Sequence, residues 1–88
     1  MPSRTYLLLT PDELKRVLKA LGLAHKRTTG DHEQWEGLVN GLRRVSTVQL
    51  VRGTYTTDRM KRLIGNLGLT REAFYAADEK ISKRYFGK

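Results

Sequence analysis

The sequence contains no cysteine, which excludes disulfide bridges and metal sites built from thiolates. It also lacks long apolar runs, and the stretch "YLLL" at 6–9 is typical of those present. A secretory signal or a membrane span needs a longer apolar segment, so we expect neither and take the cytoplasm as the default location. The sequence has no glycine-rich phosphate loop and no Gly-x-Ser-x-Gly elbow, which argues against nucleotide-hydrolysing and acyl-transfer enzymes.

Positive charge is abundant, with 17 Lys and Arg against 9 Asp and Glu and a net charge of +8 in 88 residues. The hydrophobic fraction of 39% suffices for one small core, so residues 1–88 are predicted to form a single domain. Positive potential of this density concentrates polyanions, and nucleic acid is therefore the leading partner class. The alternative is a surface charged only for solubility, although acidic residues would serve that purpose equally well.

A helix is predicted from Pro11 to about Leu21. Thr10 can cap it, Pro11 suits its first position, and Glu13 can complete a capping box. Gly22 supplies a left-handed stop. One face of this helix is apolar and carries Leu14, Val17, Leu18 and Leu21, whereas the outer face is basic and carries Lys15, Arg16 and Lys19.

The helical period then disappears, and three segments rich in strand formers follow at about 24–29, 32–37 and 44–51. Turns are predicted at Gly30-Asp31 and within "GLVNG" at 37–41. A second amphipathic helix is predicted over "MKRLIGNLGL" at 60–69, with an apolar face formed by Met60, Leu63, Ile64 and Leu67.

Thr70 can cap a last helix over 71–86, whose apolar face carries Phe74, Ala77, Ile81 and Tyr85. The stretch "RTYLLL" at 4–9 is open to three interpretations: a short extra strand, a hydrophobic lead-in to the first helix, or a contact for a partner. Together these elements predict an α+β domain in the order α-β-β-β-α with an additional C-terminal helix. Its antiparallel three-stranded sheet would be covered by helices on one face.

The segment "TTGDHEQWEG" at 28–37 places a histidine directly after a predicted turn. Strand alternation puts His32 on the face opposite Trp35, and because Trp35 belongs under the helices, His32 should lie on the open face. An imidazole exchanges protons near neutrality, and RNA supplies its own nucleophile in the 2′-hydroxyl. RNA cleavage would therefore need neither a metal nor another cofactor, and we expect none. The alternative is that His32 bonds only within its own turn.

His25 is the other histidine, and its position within a strand indicates a structural or merely exposed residue. The two histidines and the nearby carboxylates do not form a recognisable metal-ligand pattern.

The stretch "LKRVLKALGLAHKRTTGDHEQWEG" resembles the HicA (YcfA-like) mRNA interferase toxins of type II toxin-antitoxin systems. The matching positions, in order and spacing, are Gly22, Leu23, Arg27, Gly30, His32 and Trp35. The later "GTYTTDRMKRLIGNLGLTREAF" is similar to the second helix and closing element of the family, here Leu69, Thr70, Glu72 and Phe74. The resemblance covers about residues 12–75. Asp31 stands where the family usually has serine, which places a carboxylate close to the expected phosphate.

This resemblance implies a double-stranded-RNA-binding-like fold with a core at about 10–76, ribosome-independent cleavage of mRNA and a HicB-like antitoxin partner. It also implies that His32 is the catalytic residue. The resulting hypothesis is an RNA endonuclease toxin in which His32 acts as general base or acid. The residues expected to bind RNA are Lys26 and Arg27 at the phosphates, Gly30 in the turn, and Lys15, Arg16 and Lys19 on the first helix.

Two other hypotheses stay open at this point. One is a non-catalytic RNA-binding module of the same fold, which would recognise A-form RNA by its shape. The other is a protein that binds DNA or only another protein.

Overall fold

The computed structural model describes residues 6–87, which form an α+β domain with a helix, three antiparallel strands and then further helices. In chain order the elements are α1 (Pro11–Leu21), β1 (Leu23–Thr29), β2 (His32–Val39), β3 (Leu42–Gln49), α2 (Thr57–Asn66), α3 (Arg71–Ala76) and α4 (Glu79–Phe86).

The predicted boundaries of α1 are confirmed. The side chain of Thr10 accepts a hydrogen bond from the amide of Glu13, and the Glu13 side chain accepts one from the amide of Thr10. This capping box satisfies two donors that the first turn leaves without helical partners. At the other end Gly22 adopts a φ of 102°, the left-handed conformation that ends the helix.

The three strands form one antiparallel sheet in the order β1-β2-β3. Gly30 begins the first turn with a φ of 60°, as a two-residue type II′ hairpin requires. Asn40 and Gly41 both have positive φ, which is the type I′ pattern of an Asn-Gly hairpin.

The predicted turn over 37–41 was therefore too long. Residues 37–39 belong to β2, only Asn40 and Gly41 form the turn, and β3 starts two residues earlier than predicted. Gly37 serves packing instead, since a Cβ there would lie 2.8 Å from the Cα of Leu23 and closer still to the carbonyl oxygen of Gly22. The absence of a side chain at Gly37 lets the α1–β1 connection pass directly over β2.

One face of the sheet packs on the helices and forms the core. The strands contribute Leu23, Trp35, Val39 and Val48, and the apolar faces predicted for α1 and α2 are buried against them, except that Leu21 is only half-buried. Before α1, residues 6–10 form no strand, Leu9 is fully buried, and its carbonyl accepts a hydrogen bond from the amide of Tyr55 at 2.9 Å. Residues 6–9 therefore form a hydrophobic lead-in to α1 and not a strand, while residues 4 and 5 lie outside the described range.

The single C-terminal helix predicted over 71–86 is wrong. Asp78 has extended backbone angles, and its side chain accepts a hydrogen bond from the amide of Ile81 at 3.2 Å, so it caps a new helix. The apolar residues of both helices still face the core, because Phe74 and Ile81 are buried.

Among residues 6–87, no helix has the length and the apolar character of a membrane span.

Candidate active site

His32 is the first residue of β2 and lies on the sheet face that no described helix covers. Its neighbour Glu33 points to the opposite face, where it contacts Lys15 of α1, so the alternation predicted for this strand is confirmed. Half of the His32 side chain is exposed, at 50%. A ligand can therefore reach the imidazole from the open face.

Asp31 contacts the imidazole directly. One of its carboxylate oxygens, Oδ1, lies 2.8 Å from Nδ1 of His32. An ionised carboxylate only accepts hydrogen bonds, so a neutral imidazole in this contact carries its proton on Nδ1. Its Nε2 then has a free lone pair, and no other residue between 6 and 87 bonds to it. The arrangement can accept a proton from a bound molecule.

A shallow cleft of about 220 Å³ surrounds this imidazole. It is lined by Arg27, Thr29, His32, Gln34 and Thr47, and by Glu33, whose carboxylate turns to Lys15 on the other face. Nε of Arg27 donates a hydrogen bond to Oε1 of Gln34 at 3.1 Å. The cleft thus combines a proton acceptor with a cation, and both are open to solvent.

A β-bulge brings Arg27 to the same face as His32. His25 pairs with Trp35 and Arg27 pairs with Gln34, so two steps along β1 correspond to one step along β2. Lys26 is the extra residue, and the bulge reverses the alternation of β1 at this point. The predicted phosphate-binding residue Arg27 therefore lies beside His32.

His25 lies before the bulge and faces the helix side. Its ring centroid is 5.9 Å from that of Trp35, and its Nε2 is 2.8 Å from the hydroxyl of Thr28. The interpretation as a structural or exposed residue fits this placement, because the side chain is exposed at the edge of the helix layer.

The basic residues of α1 do not share a face with His32. Lys15 is 3.3 Å from Glu33, and Arg16 is 3.3 Å from Asp78, so both are in ion pairs. Lys19 is exposed and has no ion pair with any residue between 6 and 87. The structure therefore separates these three predicted RNA-binding residues from the cleft, and two of them have a structural partner.

Glu33 shows what the Lys15 pair contributes. Burial raises the pKa of the Glu33 carboxyl, but hydrogen bonds from the Trp35 indole at 3.1 Å and from Lys15 outweigh this effect, so the pKa is lowered overall. The ionised Glu33 carboxylate therefore joins α1 to β2, the strand that also carries His32.

The remaining predicted residues lie on β1 or in its turn. Lys26 is exposed and lines a second depression with Arg43 and Leu38, farther along the open face. Gly30 forms the turn, and a Cβ at this position would meet no atom within 4 Å, so the backbone is accessible to a ligand.

Thr47 and Gln49 near His32 were not predicted, nor was Arg59, which contacts Gln49. Gln49 is the cross-strand partner of His32, and its side chain accepts a hydrogen bond from Arg59 at the start of α2. Thr47 lines the cleft. A sequence signal for Thr47 and Gln49 existed in the alternation of β3, whereas the position of Arg59 depends on tertiary packing.

Within residues 6–87, no three His, Asp or Glu side chains group together as metal ligands. Comparisons with known proteins find no matching family model and no significantly similar curated sequence.

Proposed function

We propose that the protein is an endoribonuclease, and that His32 is its catalytic residue. The observation that carries the proposal is the exposed His32 imidazole, held through Nδ1 by Asp31 in a cleft that also contains Arg27. Metal-free RNA cleavage needs a group that transfers a proton, a partner that orients it and a cation that binds the phosphate. His32, Asp31 and Arg27 can fill these three roles.

In the proposed reaction, Nε2 of His32 takes the proton of a 2′-hydroxyl. The 2′-oxygen forms a bond to the adjacent phosphorus, the bond from phosphorus to the 5′-oxygen breaks, and water protonates the leaving oxygen. The products are a 2′,3′-cyclic phosphate and a 5′-hydroxyl end. Arg27 stabilises the charge that develops on the phosphate oxygens. General base catalysis of this kind contributes about 10²- to 10⁴-fold to a rate.

The biological setting that we propose is that of a HicA-type mRNA interferase with a double-stranded-RNA-binding-like fold, acting in the cytoplasm. The helix-strand order and the resemblance around Gly30, His32 and Trp35 support this assignment. A HicB-like antitoxin would inhibit the enzyme by covering the His32 face, and an acidic protein suits a partner of charge +8.

The test is an RNA cleavage assay of purified protein in excess chelator, with His32→Ala and His25→Ala as matched variants. His32→Ala should lose cleavage by about 10²-fold or more while retaining RNA affinity, because the exposed imidazole contributes proton transfer and little packing. His25→Ala should stay within a few-fold of the unmodified protein.

Cleavage products are analysed for the cyclic phosphate, and melting curves check that each variant is folded. A His32→Ala variant as active as the His25→Ala variant would overturn the proposal. RNA binding without cleavage in all three proteins would favour the non-catalytic RNA-binding module instead.

A further inference from the structure

The two glutamines of the sequence both lie next to His32, and each accepts a hydrogen bond from an arginine. Gln34 follows His32 by two residues and occupies the same face of β2, where it holds Arg27. Gln49 pairs with His32 across the strands, and its side-chain oxygen accepts from Arg59. Two neighbours of His32 in the sheet therefore each orient a guanidinium group.

The acceptor in both pairs is a neutral amide. An amide oxygen fixes the direction of a guanidinium group without cancelling its charge, whereas a carboxylate does both. Elsewhere basic side chains pair with carboxylates, as in Lys15–Glu33, Arg16–Asp78, Arg43–Glu36, Lys83–Glu79 and Arg84–Glu13. Neither Arg27 nor Arg59 has a carboxylate partner among residues 6–87. Both keep their charge available for an anion.

Gln49 is itself firmly held. Its backbone carbonyl accepts a hydrogen bond from the hydroxyl of the buried Tyr55 at 2.7 Å. The next residue, Leu50, donates from its amide to the carbonyl of Asp31 at 2.7 Å. Gln49, which holds Arg59, is thus connected to the turn between β1 and β2. Side chains fixed in this way lose less conformational entropy when a ligand binds.

We propose that Arg27 and Arg59 form a phosphate-binding pair that holds a phosphodiester of RNA beside Nε2 of His32. Gln34 and Gln49 act as positioning residues for the two guanidinium groups. The inference rests on the proposed function, because it assigns a place to the reacting phosphate of that same site. A guanidinium group presents several N–H donors in a plane, which matches the oxygens of a phosphate better than the single ammonium of lysine does.

The acidic groups on this face do not cancel the pair. Asp31 is 2.8 Å from Nδ1 of His32, on the side of the ring away from Nε2. Glu36 forms an ion pair with Arg43 at 2.5 Å. Both carboxylates therefore have a cationic or donor partner other than Arg27 and Arg59.

The experiment compares two variants that lower the net charge by the same amount. Gln49→Glu keeps an acceptor for Arg59 but adds a carboxylate that neutralises it. Arg62→Gln removes an exposed charge from the same helix as Arg59. The probe is a short 2′-O-methyl oligoribonucleotide, which has phosphodiesters but no 2′-hydroxyl and cannot be cleaved. Its binding is measured by fluorescence anisotropy over a range of salt concentrations.

Gln49→Glu should weaken binding by about tenfold and lower the log–log salt slope by about 0.7, the value of one phosphate contact on a single strand. Arg62→Gln should change affinity less than about twofold and leave the slope unchanged, since the proposal gives it no phosphate contact. A purely structural role for Gln49 would leave binding unchanged, because glutamate still accepts from Arg59. Arg59→Gln should reproduce the Gln49→Glu result and provides a second test if Gln49→Glu does not fold.

The proposal of an Arg27–Arg59 phosphate-binding pair is overturned if the Gln49→Glu and Arg62→Gln variants bind the probe equally. It is also overturned if the unmodified protein does not bind the probe. Cleavage of unmodified RNA separates this outcome from failure of the proposed function. If His32-dependent cleavage occurs while the two variants bind alike, only the phosphate-binding pair is wrong. If the variants differ as expected but RNA is not cleaved, the pair stands and the endoribonuclease proposal is wrong.

Discussion

Two groups of basic residues can be compared by how RNA binding responds to salt. The double variant Lys26→Gln/Arg27→Gln removes charges from the bulged strand, whereas Lys15→Gln/Arg16→Gln removes charges from α1. Each variant lowers the net charge by two, so the total charge of the protein cannot explain a difference between them. Of these four residues, only Lys26 and Arg27 lie on the face of the sheet that carries the cleft.

The first variant should lower the log–log salt slope of RNA binding by about 1.4, because each phosphate contact on a single strand contributes about 0.7. The second should change the slope little, since Glu33 and Asp78 already neutralise its two cations. It should instead lose about 1–2 kcal/mol of unfolding free energy, as the partner carboxylates are only 15% and 13% exposed and would lose their cations.

That loss corresponds to a fall of about 4–16 °C in Tm for a domain of this size. Trp35, the single tryptophan, is buried against the helices and reports unfolding by fluorescence. Anisotropy titrations of a single-stranded RNA at several salt concentrations give the slopes. The reasoning is refuted if the α1 variant lowers the slope as much as the β1 variant does, because α1 would then be part of the RNA surface.

Two further predictions concern the scaffold. Gly37→Ala should destabilise the protein by about 1–3 kcal/mol, because the added methyl group meets the backbone of Gly22. Gly65→Ala should stabilise it by about 0.4–1 kcal/mol, because this helical position has space for a methyl group beside the helix backbone. Denaturant titration measures both, and a Gly37→Ala protein as stable as the Gly65→Ala protein would show that the chain at Gly22 and Leu23 moves away from β2 without cost. Since the pKa of Glu33 is lowered on folding, its ionised form stabilises the native state above the usual glutamate pKa of about 4.3, and this contribution is lost as the pH falls through the lower folded value. Glu33→Gln should therefore be less stable than the unmodified protein near neutrality and differ less from it in strong acid, and an equal difference at both pH values would contradict the linkage.

The elements that could be predicted from the sequence are those whose signals lie close together along the chain. The capping box of α1 and its glycine stop span thirteen positions from Thr10 to Gly22, and both ends of the helix were predicted correctly. The turn at Asn40-Gly41 also has a local signal. Gly37 was wrongly included in that turn because its role is long-range: it gives space to the chain at Gly22 and Leu23.

At the C-terminus, a regular local pattern predicted one helix where the structure has two. A continuous apolar face at helical spacing predicts one helix, but the same spacing is compatible with two short helices that keep their apolar residues on the core. Asp78 decides between them, since it caps α4 and also pairs with Arg16 of α1. A cap signal was present in the sequence at Asp78, whereas the ion pair that holds this residue in place depends on the tertiary fold.

The candidate site contains one residue whose position follows from a local pattern and others whose positions depend on the fold. The face of His32 followed from regular alternation in β2, where each residue pairs in step with β3. The face of Arg27 could not be derived in this way, because Leu23 is buried on the helix side and regular alternation along β1 would place Arg27 on that side as well. The bulge at Lys26 lets the same strand bury Leu23 at one end and present Arg27 beside His32 at the other. Arg59 of α2 bonds to Gln49, ten residues earlier in the chain, so the role proposed for it depends on how α2 packs against β3. The chemistry proposed for this protein therefore depends on one locally predictable residue and on two arginines that only the folded backbone brings to it.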